Sequence, residues 1–304
     1  MDDHAKLAEF VGFTNALQIG AFVPTSRKDT YPFITPTGTE LAGKFVFITG
    51  ASKGIGRAAA SSLVKAGCSK IAIAARTSLD KVAEELKAEA QQLNLEIPTI
   101  LPIQVDVTSD ESVKAAAQKV EDAFGGKIDI LINNAGYLPK IARIGEGDPS
   151  EWWKGFEVNL KGAFLCTHYF VPLLLKSDTK IVINMSSIGA NLLTIGSASY
   201  QASRFTNCRI TEFLARDYKD EGLIAIALHP GGIRTDMADN LPEVMHFSLT
   251  DNVNLPADTI VWLSKERREW LNGRYVSSPW DMQELEGKKE EIVEKDLFKF
   301  RMTV

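Results

Sequence analysis

Thr49-Gly50-Ala51-Ser52-Lys53-Gly54-Ile55-Gly56 is the stretch that decides the fold of this chain. The apolar run Phe45 to Thr49 before it reads as a buried strand, and Ile55 to Ala66 after it reads as an amphipathic helix. Gly50 permits a sharp exit from the strand. Gly54 lets the backbone approach a pyrophosphate with no Cβ in the way, and Gly56 lets the helix pack closely on the sheet. Ser52, Lys53 and Ile55 complete the loop, and the helix behind it offers free N–H groups and a partial positive charge to phosphates. A glycine-rich turn without a ligand is the plain alternative. The strand before and the helix after favour the phosphate cradle.

The same alternation continues outward. Further strand candidates are Lys70 to Ala75, Thr99 to Asp106, Ile128 to Ile132, Lys180 to Met185, Leu223 to Leu228 and Arg274 to Val276. Helical patterns lie between them at Leu79 to Leu93, Glu111 to Phe124, Pro149 to Leu175 and Ala198 to Tyr218. Parallel strands joined by right-handed crossovers need a helix's length of chain between them, so the pattern predicts an α/β, doubly wound parallel sheet of the Rossmann type. Ligands of such sheets bind beyond the carboxyl ends of the strands. Residues 1–40, with Pro24, Pro32 and Pro36 among threonines and serines, read as an N-terminal arm with a short helix near Lys6 to Leu17. Residues 41–304 read as one dinucleotide-binding domain, with a substrate lid at about 235–256 and a tail at 278–304.

Composition narrows the function classes. The 304 residues are 45% apolar and 24% charged, with 34 basic against 39 acidic residues and a net charge of -5. A chain this balanced, with no long Lys/Arg block, lacks the footprint of a nucleic-acid or anionic-membrane binder. The apolar stretch Ala163 to Leu175 is too short to span a bilayer, and the first residues lack a secretory signal pattern. Three scattered cysteines, Cys68, Cys166 and Cys208, suggest neither a disulfide framework nor a zinc site, and His168, His229 and His246 share no ligand spacing. No metal is expected, and a reducing, cytoplasmic location fits.

The choice of cofactor turns on the residue about 20 positions after the last glycine, which here is Arg76. A carboxylate there would bind the 2′-hydroxyl of NAD; a guanidinium favours a 2′-phosphate, and Lys53 adds a second cation in the loop. NADP(H) is the expected cofactor. Asp106, followed by Val107, can accept from the adenine amino group; capping the following turn is the competing role.

Taken in order, the glycine pattern, Asn133-Asn134-Ala135-Gly136, Asn159, Ser187, Tyr200 and His229-Pro230-Gly231-Gly232 resemble the short-chain dehydrogenase/reductase family over residues 43 to about 277. The proline-containing arm and Gly273-Arg274-Tyr275 to Trp280-Asp281-Met282 are similar to a broad fungal group of these reductases. The resemblance implies that Asn159, Ser187 and Tyr200 are catalytic, with Ser187 chosen over Ser186 by its thirteen-residue spacing to Tyr200. It also implies that Asn134, Ile233 and Thr235 contact the cofactor and that the long helices mediate a homodimer or homotetramer.

Ketone reduction needs a hydride and a proton aimed at one carbonyl. A phenol such as Tyr200 supplies the proton near neutrality only with positive charge beside it, and a cation four residues on shares its helix face. The family has lysine at that position, and this chain has Arg204. Arginine keeps the charge and can bind the cofactor, but it releases no proton in the working range.

The leading expectation is an NADPH-dependent reductase acting on a ketone or enone of an apolar, specialised metabolite. Tyr137, Leu193, Met237, Leu241, Met245 and Phe247 are candidates for its pocket, with ordinary loop packing as the rival reading. The runner-up is the same fold and cofactor site used for a non-redox dehydration, isomerisation or cyclisation, supported by Arg204. A cofactor-sensing binding module is the third, weakened by the presence of both Ser187 and Tyr200.

Overall fold

A computed structural model describes residues 22–302. The helix expected at Lys6 to Leu17 lies outside the described residues. Seven parallel strands form one sheet: β1 (Phe45–Thr49), β2 (Lys70–Ala75), β3 (Thr99–Gln104), β4 (Ile130–Asn133), β5 (Ile181–Met185), β6 (Ile224–His229) and β7 (Arg274–Ser277). The order β3-β2-β1-β4-β5-β6-β7 reverses direction between β1 and β4, which opens a crevice beyond their carboxyl ends.

Both faces of the sheet are covered, and the two-residue period of a strand sorts the side chains between them. Val46, Ile48, Ile130, Ile132, Ile181 and Ile183 belong to one core, with α1 (Gly54–Lys65), α2 (Asp80–Gln92) and α7 (Asn254–Ser264). Phe47, Leu131 and Val182 point the other way, into a second core with α3 (Asp110–Phe124) and α5 (Gly162–Leu174). Phe47 stacks on Phe170 there, with ring centroids 4.0 Å apart. The remaining helices are α4 (Pro149–Phe156), α6 (Ala198–Asp217), α8 (Met282–Glu286) and α9 (Lys289–Glu294).

The helical pattern from Pro149 onward is continuous, but the helix widens to a π-turn at Glu157–Lys161 between α4 and α5. The widened turn turns the Asn159 side chain into the protein, where 1% of it is exposed. Helix α7 was absent from the sequence pattern, and Asn254 to Pro256, read as the end of the lid, form its first turn.

The segment from residue 22 to β1 has no helix or strand, yet Val23, Tyr31, Ile34 and Leu41 are buried in the first core. Its polar groups are paired with the C-terminal region. Ser26 bridges Trp280, Arg27 pairs with Asp281 at 2.6 Å, and the Met282 N–H donates to the Tyr31 hydroxyl at 2.5 Å. Among the described residues, no helix is long and apolar enough to cross a membrane, and no cluster of three metal-binding side chains occurs.

Candidate active site

A cleft of about 840 Å³ runs along the carboxyl ends of β1, β2, β4 and β5. One end is the glycine loop, and its geometry tests whether a dinucleotide fits. Lys53, at the N-terminal boundary of α1, makes no capping bond, and no acidic residue stands in the first turn. Helices α3, α4 and α8, by contrast, are capped by Ser109, Asp148 and Asp281. The open N–H groups of α1 therefore face the cleft and suit an anion. A Cβ on Gly56 would lie 2.3 Å from the Gly50 carbonyl oxygen, so the close return of the helix onto the strand requires glycine. The cradle fits a pyrophosphate.

Gly50, Ser52, Lys53, Gly54, Ile55, Gly56, Arg76, Asp106, Val107, Asn134, Tyr200, Arg204 and Thr235 all line this cleft. Asn134 closes its floor, donating from Nδ2 to the Thr49 carbonyl at 2.8 Å while its own N–H reaches the Thr49 hydroxyl at 3.0 Å. Arg76 is exposed at the end of β2. Lys53 pairs across the cleft mouth with Asp236 at 2.5 Å. The turn-capping role of Asp106 is realised: its Oδ1 accepts from the N–H and hydroxyl of Thr108 at 2.9 and 2.8 Å, and these bonds hold its carboxyl below the usual range.

At the other end, Arg204 is 3% exposed and its guanidinium carbon sits 5.1 Å from the Tyr200 ring centroid. Nη1 donates to the Met185 carbonyl at 2.8 Å, and Nε is buried with no partner in the protein. Nη2 presses on the β4 loop, where a Cβ at Gly136 would lie 2.3 Å from it. The buried fork is thus bonded to the end of β5 and packed against the loop after β4.

Asn159 and Ser187 lie near these groups but outside the cleft lining. The Asn159 side chain accepts from the Tyr137 N–H at 2.8 Å and donates to the Tyr137 carbonyl at 2.9 Å and the Ser203 hydroxyl at 3.0 Å. It braces the Gly136–Tyr137 turn. Ser187 Oγ accepts the Gly189 N–H at 3.0 Å, and a Cβ on Gly189 would be 3.3 Å from that oxygen and 3.6 Å from the Tyr200 ring, so the two side chains flank one spot. Ser186 lines the cleft instead, with Oγ beside Cys208 at 3.0 Å. Ile233 is buried behind the cleft wall and bridged to Asp251. Of the apolar candidates, Tyr137 and Met237 line the cleft, whereas Leu193 and Phe247 are 77% and 62% exposed.

His229, which shared no metal-ligand spacing in the sequence, is a packed histidine. His229 is buried, and its Nδ1 accepts the Ile188 N–H at 3.0 Å and the Gly231 N–H at 3.4 Å, joining the turns after β5 and β6. Burial lowers its pKa to about 3, so the ring is neutral. Glu151 and Lys154 of α4 line the cleft, where Glu151 accepts a hydrogen bond from the Tyr137 hydroxyl and pairs with Lys154 at 3.3 Å. Glu and Lys three residues apart on a short helix look like routine surface pairing, so spacing alone gave no signal for them.

A family model described as short chain dehydrogenase matches residues 44–245. The chain is 43% identical over 283 residues to short chain dehydrogenase mpl6 of Monascus purpureus, covering 93% of this chain and 97% of that protein. A short chain dehydrogenase structure from Salmonella enterica superposes with a TM-score of 0.72 at 26% identity, covering 80% of this chain and 98% of the other. Carveol dehydrogenase from Mycobacterium avium, solved in complex with NAD, shares the fold with a TM-score of 0.70 at 19% identity, covering 79% and 97% of the two chains.

Proposed function

The chain belongs to the short-chain dehydrogenase family, whose members are oxidoreductases using NAD or NADP, and from that membership we propose an NADPH-dependent reductase of a ketone or enone in an apolar, specialised metabolite. The observation that carries this reading is the placement of Tyr200 and Arg204 in the wall of the same cleft that ends in the uncapped glycine cradle. Gly50, Ser52, Gly54, Ile55 and Gly56 hold the pyrophosphate, Asp106, Val107 and Asn134 border the adenosine side, and Ile233 and Thr235 serve the nicotinamide end. The nicotinamide, when bound, supplies the hydride. Tyr200 gives the proton to the substrate oxygen, Ser187 holds that oxygen against it, and Asn159 braces the loop beneath.

Arg204 keeps a permanent positive charge beside the Tyr200 ring, where it favours negative charge forming during the reaction. Its side chain relays no proton, so the proton lost by Tyr200 is replaced by another route. Arg76 and Lys53, two cations on the cleft lining, support NADPH over NADH. Exposed Trp153, Phe164 and Phe213 on α4, α5 and α6 support a homodimer or homotetramer, which sedimentation velocity measures. Three free, buried cysteines support a reducing, cytoplasmic setting.

The deciding experiment follows the loss of NADPH absorbance across a panel of ketones and enones, with Tyr200→Phe as control. Consumption that requires Tyr200 and exceeds consumption of NADH sustains the reading. Product formed without NADPH consumption overturns it in favour of a non-redox reaction.

A further inference from the structure

Beside the long cleft lies a second cavity of about 290 Å³, lined by Leu138, Pro139, Ile141, Ala142, Trp152 and neighbours. Its walls are tied together. The Ser199 hydroxyl donates to the Trp152 carbonyl at 2.5 Å, joining α6 to α4, and the Ala142 N–H donates to the Gly196 carbonyl at 3.1 Å. Among the described residues, Glu151 and Tyr200 alone line both cavities. A molecule that fills the smaller space therefore lies against both Glu151 and Tyr200.

The volume sits at the lower edge of small-molecule pockets, about 300 Å³, and suits one or two rings rather than a long chain. Trp152, Pro139 and Ile141 give it an apolar wall. Glu151 is the unusual member. Its carboxyl is kept below the usual range first by the Tyr137 hydroxyl and then by Lys154, so it stands as an anion. One oxygen receives Tyr137 and the other Lys154. A carboxylate has about four acceptor positions, and two remain for an incoming donor.

Lys140, Asp148 and Glu151 are the charged groups on the small cavity. Asp148 is spent on the Ser150 N–H at 2.8 Å. With Lys154 already paired to Glu151 at 3.3 Å, the carboxylate's remaining acceptor positions suit a neutral hydroxyl donor.

Resting on the reductase reading of Tyr200, we propose that the smaller cavity holds the body of the substrate and that Glu151 selects a ring-bearing carbonyl compound with a free hydroxyl group, which donates to its carboxylate while Tyr200 addresses the carbonyl. Glu151 is then a specificity-determining residue. Lys154 and Tyr137 position it.

The test uses hydroxyaryl ketones, their O-methyl ethers and their carboxyl analogues, with the full chain and NADPH. The wild-type kcat/KM is expected to exceed that for the ether by about tenfold, a modest value for a partly exposed acceptor. In Glu151→Met the ratio falls to within about twofold, and Glu151→Gln, which keeps an acceptor oxygen without the charge, lies between. A ratio that is the same in all three proteins overturns the proposal. The same ligands are titrated against Tyr200→Phe by quenching of tryptophan fluorescence, with thermal melts confirming that each variant folds. Binding that depends on Glu151 without NADPH consumption retains the site and removes the reductase reading. NADPH consumption with no Glu151-dependent preference removes the site and retains the reductase.

Discussion

Arg204 lies one helical turn beyond Tyr200, with its guanidinium 5.1 Å from the ring centroid, and the same side chain reaches the Met185 carbonyl at 2.8 Å. Charge and positioning are therefore combined in one buried group. Arg204→Met removes both and is expected to lower kcat/KM for ketone reduction about a hundredfold, the scale of losing one electrostatic contact in a closed site. Arg204→Lys restores the charge and most of the rate. Equal rates in the Met and Lys variants would mean that the charge is not used.

The glycine cradle gives the second expectation. Alanine at Gly56 would bring its Cβ within 2.3 Å of the Gly50 oxygen and 2.5 Å of Asn134 Nδ2, and both are backbone or tightly held atoms. Gly56→Ala should cost about 1–3 kcal/mol of stability by overpacking and weaken NADPH binding more than tenfold. Urea unfolding and cofactor titration measure the two effects separately.

Cofactor choice should follow the exposed cations. Arg76→Glu is expected to raise the KM for NADPH about tenfold or more and to lower the KM for NADH, because the 2′-phosphate loses a charge-assisted contact and meets a carboxylate to which the 2′-hydroxyl of NADH can donate. Asp236→Asn frees Lys53 from a pair whose side chains are 71% and 70% exposed. Its stability should change by less than about 0.5 kcal/mol. NADPH should bind more tightly. Paired KM values for the two cofactors check both variants.

His229 sets an acid limit on stability. Its ring takes a proton at the ordinary value of 6.5 in the unfolded chain but only near 3 in the buried site. The unfolded state therefore binds the extra proton across that window, so this contribution is present above pH 6.5 and is lost as pH falls towards 3, with a slope of about 1.4 kcal/mol per unit. His229→Gln removes the titration and should flatten that limb of the urea stability curve, at the cost of lower stability at neutral pH through the Ile188 contact. A limb of unchanged slope would refute the assignment.

The sheet was legible because strands buried on both faces read as short, unbroken apolar runs. Phe45–Thr49 and Lys70–Ala75 match the observed strands end to end. Helix α7 was hidden for the same reason in reverse: Leu255 to Ser264 are all buried, so the segment carries no polar face to reveal a helical period, and Pro256 in its first turn looked like loop chemistry.

Within the site, the glycine loop, Tyr200 and Arg204 could be placed from motif spacing because local backbone geometry fixes them. Ser186 and Ser187 are adjacent at a strand end, and only the local twist of the chain decides which reaches the cleft. The Tyr137–Glu151–Lys154 group depends on the β4 loop folding back over α4, a tertiary event with no sequence period.

The bond between Arg27 and Asp281 spans 254 positions of the chain, and Thr25 with Glu284 spans 259. The consequence is one of timing. During synthesis the residues around Val23 and Tyr31 emerge early, but their partners leave the ribosome only after β7 has been made. Until then the contacts of this stretch with Trp280, Asp281 and Met282 cannot form. A segment made early is thus among the last to settle.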